Sequence, residues 1–137
     1  MSHQVQAVAL TCVDYRFRLP FQKFLAGLQL TEVDHIALAG GAKGLLSPGA
    51  VQDELFANFE IAFNKHAVER VILINHQDCG GYGGSGSFAG LDAELDFQRA
   101  QLRQAVSTLG VRYPEKRIEA YLGRLSEAGE ASFEKVI

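Results

Sequence analysis

The chain has 137 residues, 47% of them hydrophobic, and a net charge of −3 at neutral pH. That size supports one core and a single domain over residues 1–137, and the mixed charge excludes the basic stripe of a nucleic-acid or anionic-membrane surface. No run of roughly 18 apolar residues is present to span a bilayer, and the opening MSHQVQ lacks the basic and apolar regions of a signal peptide. The two cysteines are too few for a disulfide scaffold. The expectation is a soluble, cytoplasmic globular protein with no membrane or nucleic-acid partner.

In chain order, short apolar runs predict strands at residues 5–10, 35–39, 71–75 and 118–122. A weak helical stretch covers 21–28. Gly40 to Gly44 forms a first glycine-rich loop. Ser47-Pro48 reads as an N-cap followed by proline at the first helical position. Val51, Leu55, Phe59, Ala62 and Phe63 then fall on one helical face. A second glycine-rich loop spans 80–90. Leu95, Leu102, Val106 and Leu109 mark another amphipathic helix, with Gly110 as its C-terminal stop. Residues 132–136 read as a further strand or a tail. Alternating strands and helices predict an α/β fold with a central, mainly parallel sheet flanked by helices. Such folds bind ligands beyond the carboxyl ends of their strands.

Two groups of residues fall at those ends. Cys12, Asp14 and Arg16 follow the first strand. In an extended chain they share one side, leaving Val13, Tyr15 and Phe17 to pack on the other. Asp14 and Arg16 suit a charge-assisted pair that keeps the carboxylate ionised. His76 and Cys79 follow the third strand in a His-x-x-Cys step. Taken singly, Cys12 also reads as a small buried hydrophobe, and His76 as a hydrogen-bonded strand-end histidine. Together, two thiolates and one imidazole suit Zn²⁺, and three protein ligands leave one tetrahedral position open, as in catalytic sites. A Cys12–Cys79 disulfide is the redox alternative, but it leaves His76, Asp14 and Arg16 without a role. His3, His35 and His66 read as structural or solvated, and Gln77 and Asp78 as loop residues. The loop at 80–86 could cradle an anion, but it lacks the P-loop ending. The reading favoured for both glycine loops is close backbone passage beside a metal site, or a mobile flap.

Cys12-x-Asp14-x-Arg16 followed by His76-x-x-Cys79-Gly80 resembles the paired motifs of β-class carbonic anhydrases. The likeness extends over most of residues 5–122, including a strand ending in small residues (Ala39-Gly40-Gly41). The resemblance implies an α/β domain assembled into homodimers or larger homo-oligomers, with zinc on Cys12, His76 and Cys79. It implies a zinc lyase, a carbonate dehydratase that reversibly hydrates CO₂ to bicarbonate through a zinc-bound hydroxide. Asp14 would orient that hydroxide and Arg16 would fix Asp14. In a closed resting form Asp14 would instead become the fourth ligand while Arg16 is released. The family's Arg-Asn-Ala-Gly-Asn is here Leu38-Ala39-Gly40-Gly41-Ala42, and Asn75 precedes His76 where glycine is common. Other readings are a hydrolase of a related small molecule, such as carbonyl sulfide or carbon disulfide, and a zinc-stabilised regulatory or binding module without activity.

Overall fold

The computed structural model describes residues 4–137, so His3 lies outside the described residues. Five strands form one sheet: β1 (Ala7–Thr11), β2 (Val33–Ala37), β3 (Arg70–His76), β4 (Arg117–Leu125) and β5 (Ala131–Lys135). Their spatial order is β2-β1-β3-β4-β5, with β5 antiparallel to β4 and all other pairs parallel. Three helices accompany them: α1 (Arg18–Gly27), α2 (Ala50–Lys65) and α3 (Leu91–Arg112). The expected α/β class and mainly parallel sheet are what is found. The segment at 132–136 is the edge strand rather than a tail.

The pleat divides the core. Val8, Leu10, Val71, Leu73, Ala120 and Leu122 face α2 and α3. Ala7, Ala9, Ile72, Ile74 and Tyr121 face Phe21 and Leu25 of α1. From Val71 onward every residue of β3 is buried, which explains its uninterrupted apolar run.

Among the boundaries that differ from the sequence expectation, three have a visible cause. β2 runs Val33–Ala37, not 35–39, because its register against Ala7–Thr11 of β1 is complete at Ala37. α2 starts at Ala50 behind Gly49, with no side-chain cap, so Ser47 and Pro48 lie outside it. A 3₁₀ turn over Gly41–Leu45 takes up the preceding chain, and Gln52 Nε2 donates to the Leu45 carbonyl at 2.9 Å. α3 passes through Gly110 to Arg112 because its last turn is anchored by tertiary contacts. Tyr113 donates to Glu60 at 2.8 Å, and the Arg112 guanidinium lies 4.2 Å from the centre of the Phe56 ring. Among the described residues, no helix is long and apolar enough to cross a membrane.

Candidate metal centre

β1 and β3 are neighbours, so their carboxyl ends deliver Cys12 and His76 to the same place. His76 closes β3 and is buried. Its Nδ1 donates to the Gln77 carbonyl at 2.7 Å, which leaves the lone pair on Nε2. Opposite His76 on β4 stands Gly123. The Phe17 ring fills the space there and packs on the imidazole, with ring centres 4.6 Å apart. After His76 the chain reverses through Asp78, at φ 57°, and returns Cys79 to the site.

Cys12, His76 and Cys79 are thus brought together, with one ligand atom from each lying within 4.8 Å of the others. Both cysteines are free, and their sulfurs are 3.7 Å apart. Two zinc–sulfur bonds of the usual length, set at the tetrahedral angle, separate the sulfurs by about 3.8 Å. Among the described residues the buried His76 Nε2 has no hydrogen-bond partner, an expensive condition for a polar atom unless something else satisfies it. The donor set, the sulfur spacing and this orphaned nitrogen all fit a divalent metal. The hydrogen bond from Cys79 holds the Cys12 thiol well below the ordinary range, and the same contact, with burial, pushes the Cys79 thiol up.

Asp14 and Arg16 are also brought together, though not along an extended strand. The chain leaves β1 at Thr11, and the Asp14 side chain caps a 3₁₀ turn over Tyr15–Phe17 by accepting the Arg16 N–H at 2.9 Å. That turn curls the guanidinium back onto the carboxylate, with Nε to Oδ1 at 3.0 Å and Nη2 to Oδ2 at 2.7 Å. The expected apolar face is therefore broken: Phe17 is buried, but Val13 is 60% and Tyr15 84% exposed. The Arg16 bond holds the Asp14 carboxyl below the usual carboxylate range. Asp14 Oδ2 lies 3.8 Å from His76 Nε2, beside the trio rather than within it.

Asp78, expected only as a loop residue, also binds Arg16, with Nη1 to Oδ2 at 3.0 Å and Nη2 to its carbonyl at 2.9 Å. Its place between two candidate ligands was the signal available in the sequence. Glu94 on α3 gave none, since an acid in a helix's first turn ordinarily faces water. Here it is 1% exposed.

The glycine loops pass close together. A Cβ on Gly81 would stand 2.5 Å from the Gly40 nitrogen, so the expected close backbone passage is present. A cavity of about 180 Å³ adjoins Cys12, Asp14 and His76, and its walls include Phe17, Phe21, Ala37 and Ile74. His35 stands at its side, 2.7 Å from Thr11 Oγ1, and burial lowers its pKa. His66 is distant and pairs with Asp34 at 2.6 Å.

The family model described as "Putative carbonic anhydrase" matches residues 2–124. A search of curated proteins finds no match. Among solved structures, the chain is similar to a carbonic anhydrase from Glaciozyma antarctica, at 18% identity and TM-score 0.63 over 100% of this chain and 85% of that one. It is also similar to a β-carbonic anhydrase of Aspergillus fumigatus, at 13% identity and TM-score 0.66, covering 98% and 77%. A carbon disulfide hydrolase matches at 16% identity and TM-score 0.59, covering 96% and 79%. At these identities the structures establish the fold.

Proposed function

The chain belongs to the carbonic anhydrase family, and from its β-class fold and the residues at its strand ends we propose that it reversibly hydrates CO₂ to bicarbonate with one zinc ion. Cys12, His76 and Cys79 would hold the metal. Zinc bound there supplies Lewis acidity, which can bring the pKa of water down to about 7.

The other residues supply position and environment. The Gln77 carbonyl keeps the proton on His76 Nδ1, so Nε2 is free to donate its lone pair. Asp14, kept ionised by Arg16, can only accept hydrogen bonds. It would take one from the reacting water and so turn an oxygen lone pair toward the substrate. Phe17, Phe21, Ala37 and Ile74 offer an apolar resting place to uncharged CO₂ and exclude bulk water. Bicarbonate, being charged, is disfavoured there and leaves.

The observation that carries this reading is the junction of the Cys12, His76 and Cys79 trio, the Asp14–Arg16 pair and a small, apolar-walled cavity. Stopped-flow CO₂ hydration on protein of known metal content tests it. A rate proportional to zinc supports the proposal, and stoichiometric zinc with no rate above buffer overturns it. A second reading, hydrolysis of carbonyl sulfide or carbon disulfide, is favoured by the same walls, which suit any small uncharged linear molecule. Sulfide release separates the two.

We further infer a homo-oligomer, because exposed Val13, Tyr15 and Leu19 adjoin the site and β2 leaves one edge of the sheet open. The reduced cysteine pair suits a cytoplasmic setting.

A further inference from the structure

Arg16 is held by two acids at once, and only one of them belongs to the pair already described. Asp14 takes Nε and Nη2, while Asp78 takes Nη1 on its carboxylate and Nη2 on its carbonyl. The guanidinium therefore keeps two bonds when Asp14 is ignored.

Asp78 is in turn fixed from below. Its Oδ1 accepts the Ser85 N–H at 2.8 Å, and its own N–H donates to Glu94 Oε2 at 2.6 Å. The other Glu94 oxygen accepts the Ser85 hydroxyl at 2.8 Å. Glu94 thus binds both ends of the segment from Asp78 to Ser85, including the left-handed turn at Asp78. A buried carboxylate that meets only an amide and a hydroxyl is a costly choice. Its place in the first turn of α3 offsets part of that cost. What the arrangement achieves is a rigid seat for Asp78, and through it for Arg16.

We propose that Asp78 and Glu94 are positioning residues that hold the Arg16 guanidinium independently of Asp14, so that the Asp14 carboxylate can exchange its Arg16 bonds for one inside the cavity without releasing the arginine. The freedom assigned to Asp14 rests on the function proposed above; the hold on Arg16 does not.

The test is nitrogen-15 NMR of the Arg16 side chain, which reads how fast the guanidinium rotates. In Asp14→Ala the Nη signals stay distinct, and adding Asp78→Ala, which removes the carboxylate acceptor altogether, merges them into one fast-rotating average. Fast rotation in Asp14→Ala alone, or slow rotation kept in the double variant, overturns the proposal. Because a half-exposed ion pair contributes little to stability, Asp78→Asn leaves thermal stability nearly unchanged. In the zinc-loaded protein it lowers kcat about tenfold, the usual weight of a charge-assisted bond, and moves KM less than about twofold. Unchanged kcat with full zinc also overturns the proposal. On the Asp14→Ala background, Glu94→Ala reproduces the fast rotation, whereas Glu94→Gln, which keeps an acceptor for the Asp78 N–H, keeps it slow. If the parent protein hydrates no CO₂, the functional reading falls while the NMR result still decides the hold on Arg16.

Discussion

Gly123 pairs with His76 across β3 and β4, and the Phe17 ring occupies the volume that any side chain at position 123 would need. A Cβ there would lie 2.8 Å from Phe17 Cε1 and 3.1 Å from His76 Cβ. Gly123→Ala therefore shifts the ring or the imidazole. It costs about 1–3 kcal/mol, as overpacking does, and weakens zinc binding measured by chelator competition. Phe17→Ala opens a cavity instead and costs about 3–5 kcal/mol in urea unfolding.

Asp14→Ala removes the acceptor beside the metal trio without touching the trio. Zinc content stays at the parent level, and CO₂ hydration falls by about 10²-fold or more, the weight of a positioned proton acceptor. Elemental analysis with stopped-flow rates on one preparation reads both effects, and unchanged turnover rules out the role given to Asp14.

Metal removal destabilises the fold, because an ion that binds only the folded chain stabilises it by mass action. With free zinc at about a hundredfold over Kd the gain is about 2.7 kcal/mol. Chelation should lower the melting temperature of the parent protein more than that of Cys12→Ser, which keeps one sulfur fewer on the metal, as read by differential scanning calorimetry.

Glu119, far from the metal centre, sets an acid limit on stability. It is 4% exposed; burial pushes its pKa up, but Arg70, Tyr121 and Arg117 together bring it below its ordinary 4.5. A carboxylate with a depressed folded pKa stabilises above its unfolded value and loses that contribution as pH falls through the folded one. Parent stability thus declines as pH drops below 4.5. In Glu119→Gln it starts about 2 kcal/mol lower at neutral pH and declines less steeply. Urea unfolding across that range is the check.

The meeting of Cys12, His76 and Cys79 was legible because they lie at or just beyond the ends of strands whose apolar runs are plain. Val71 to Ile74 left little alternative to a buried strand, and strand ends are where such folds place ligands. The path of Cys12 to Arg16 was not legible. Period-two alternation describes an extended chain, whereas the Asp14 carboxylate captures the Arg16 amide and turns the segment, leaving Val13 and Tyr15 outside. The start of α2 and the stop of α3 depend on partners outside each helix, Leu45 in the preceding turn for Gln52 and Glu60 on α2 for Tyr113. Glu94 escaped notice because its burial depends on how α3 lies over the loop that follows β3, which no local pattern encodes.

The most direct test of the account is X-ray absorption at the zinc edge of purified protein containing one metal per chain. The expected spectrum has two sulfur neighbours at about 2.3 Å and one imidazole nitrogen at about 2.0 Å, with one sulfur lost in Cys12→Ser and the nitrogen lost in His76→Ala. Protein that retains no zinc, or zinc whose neighbours are the same in those variants, would contradict it.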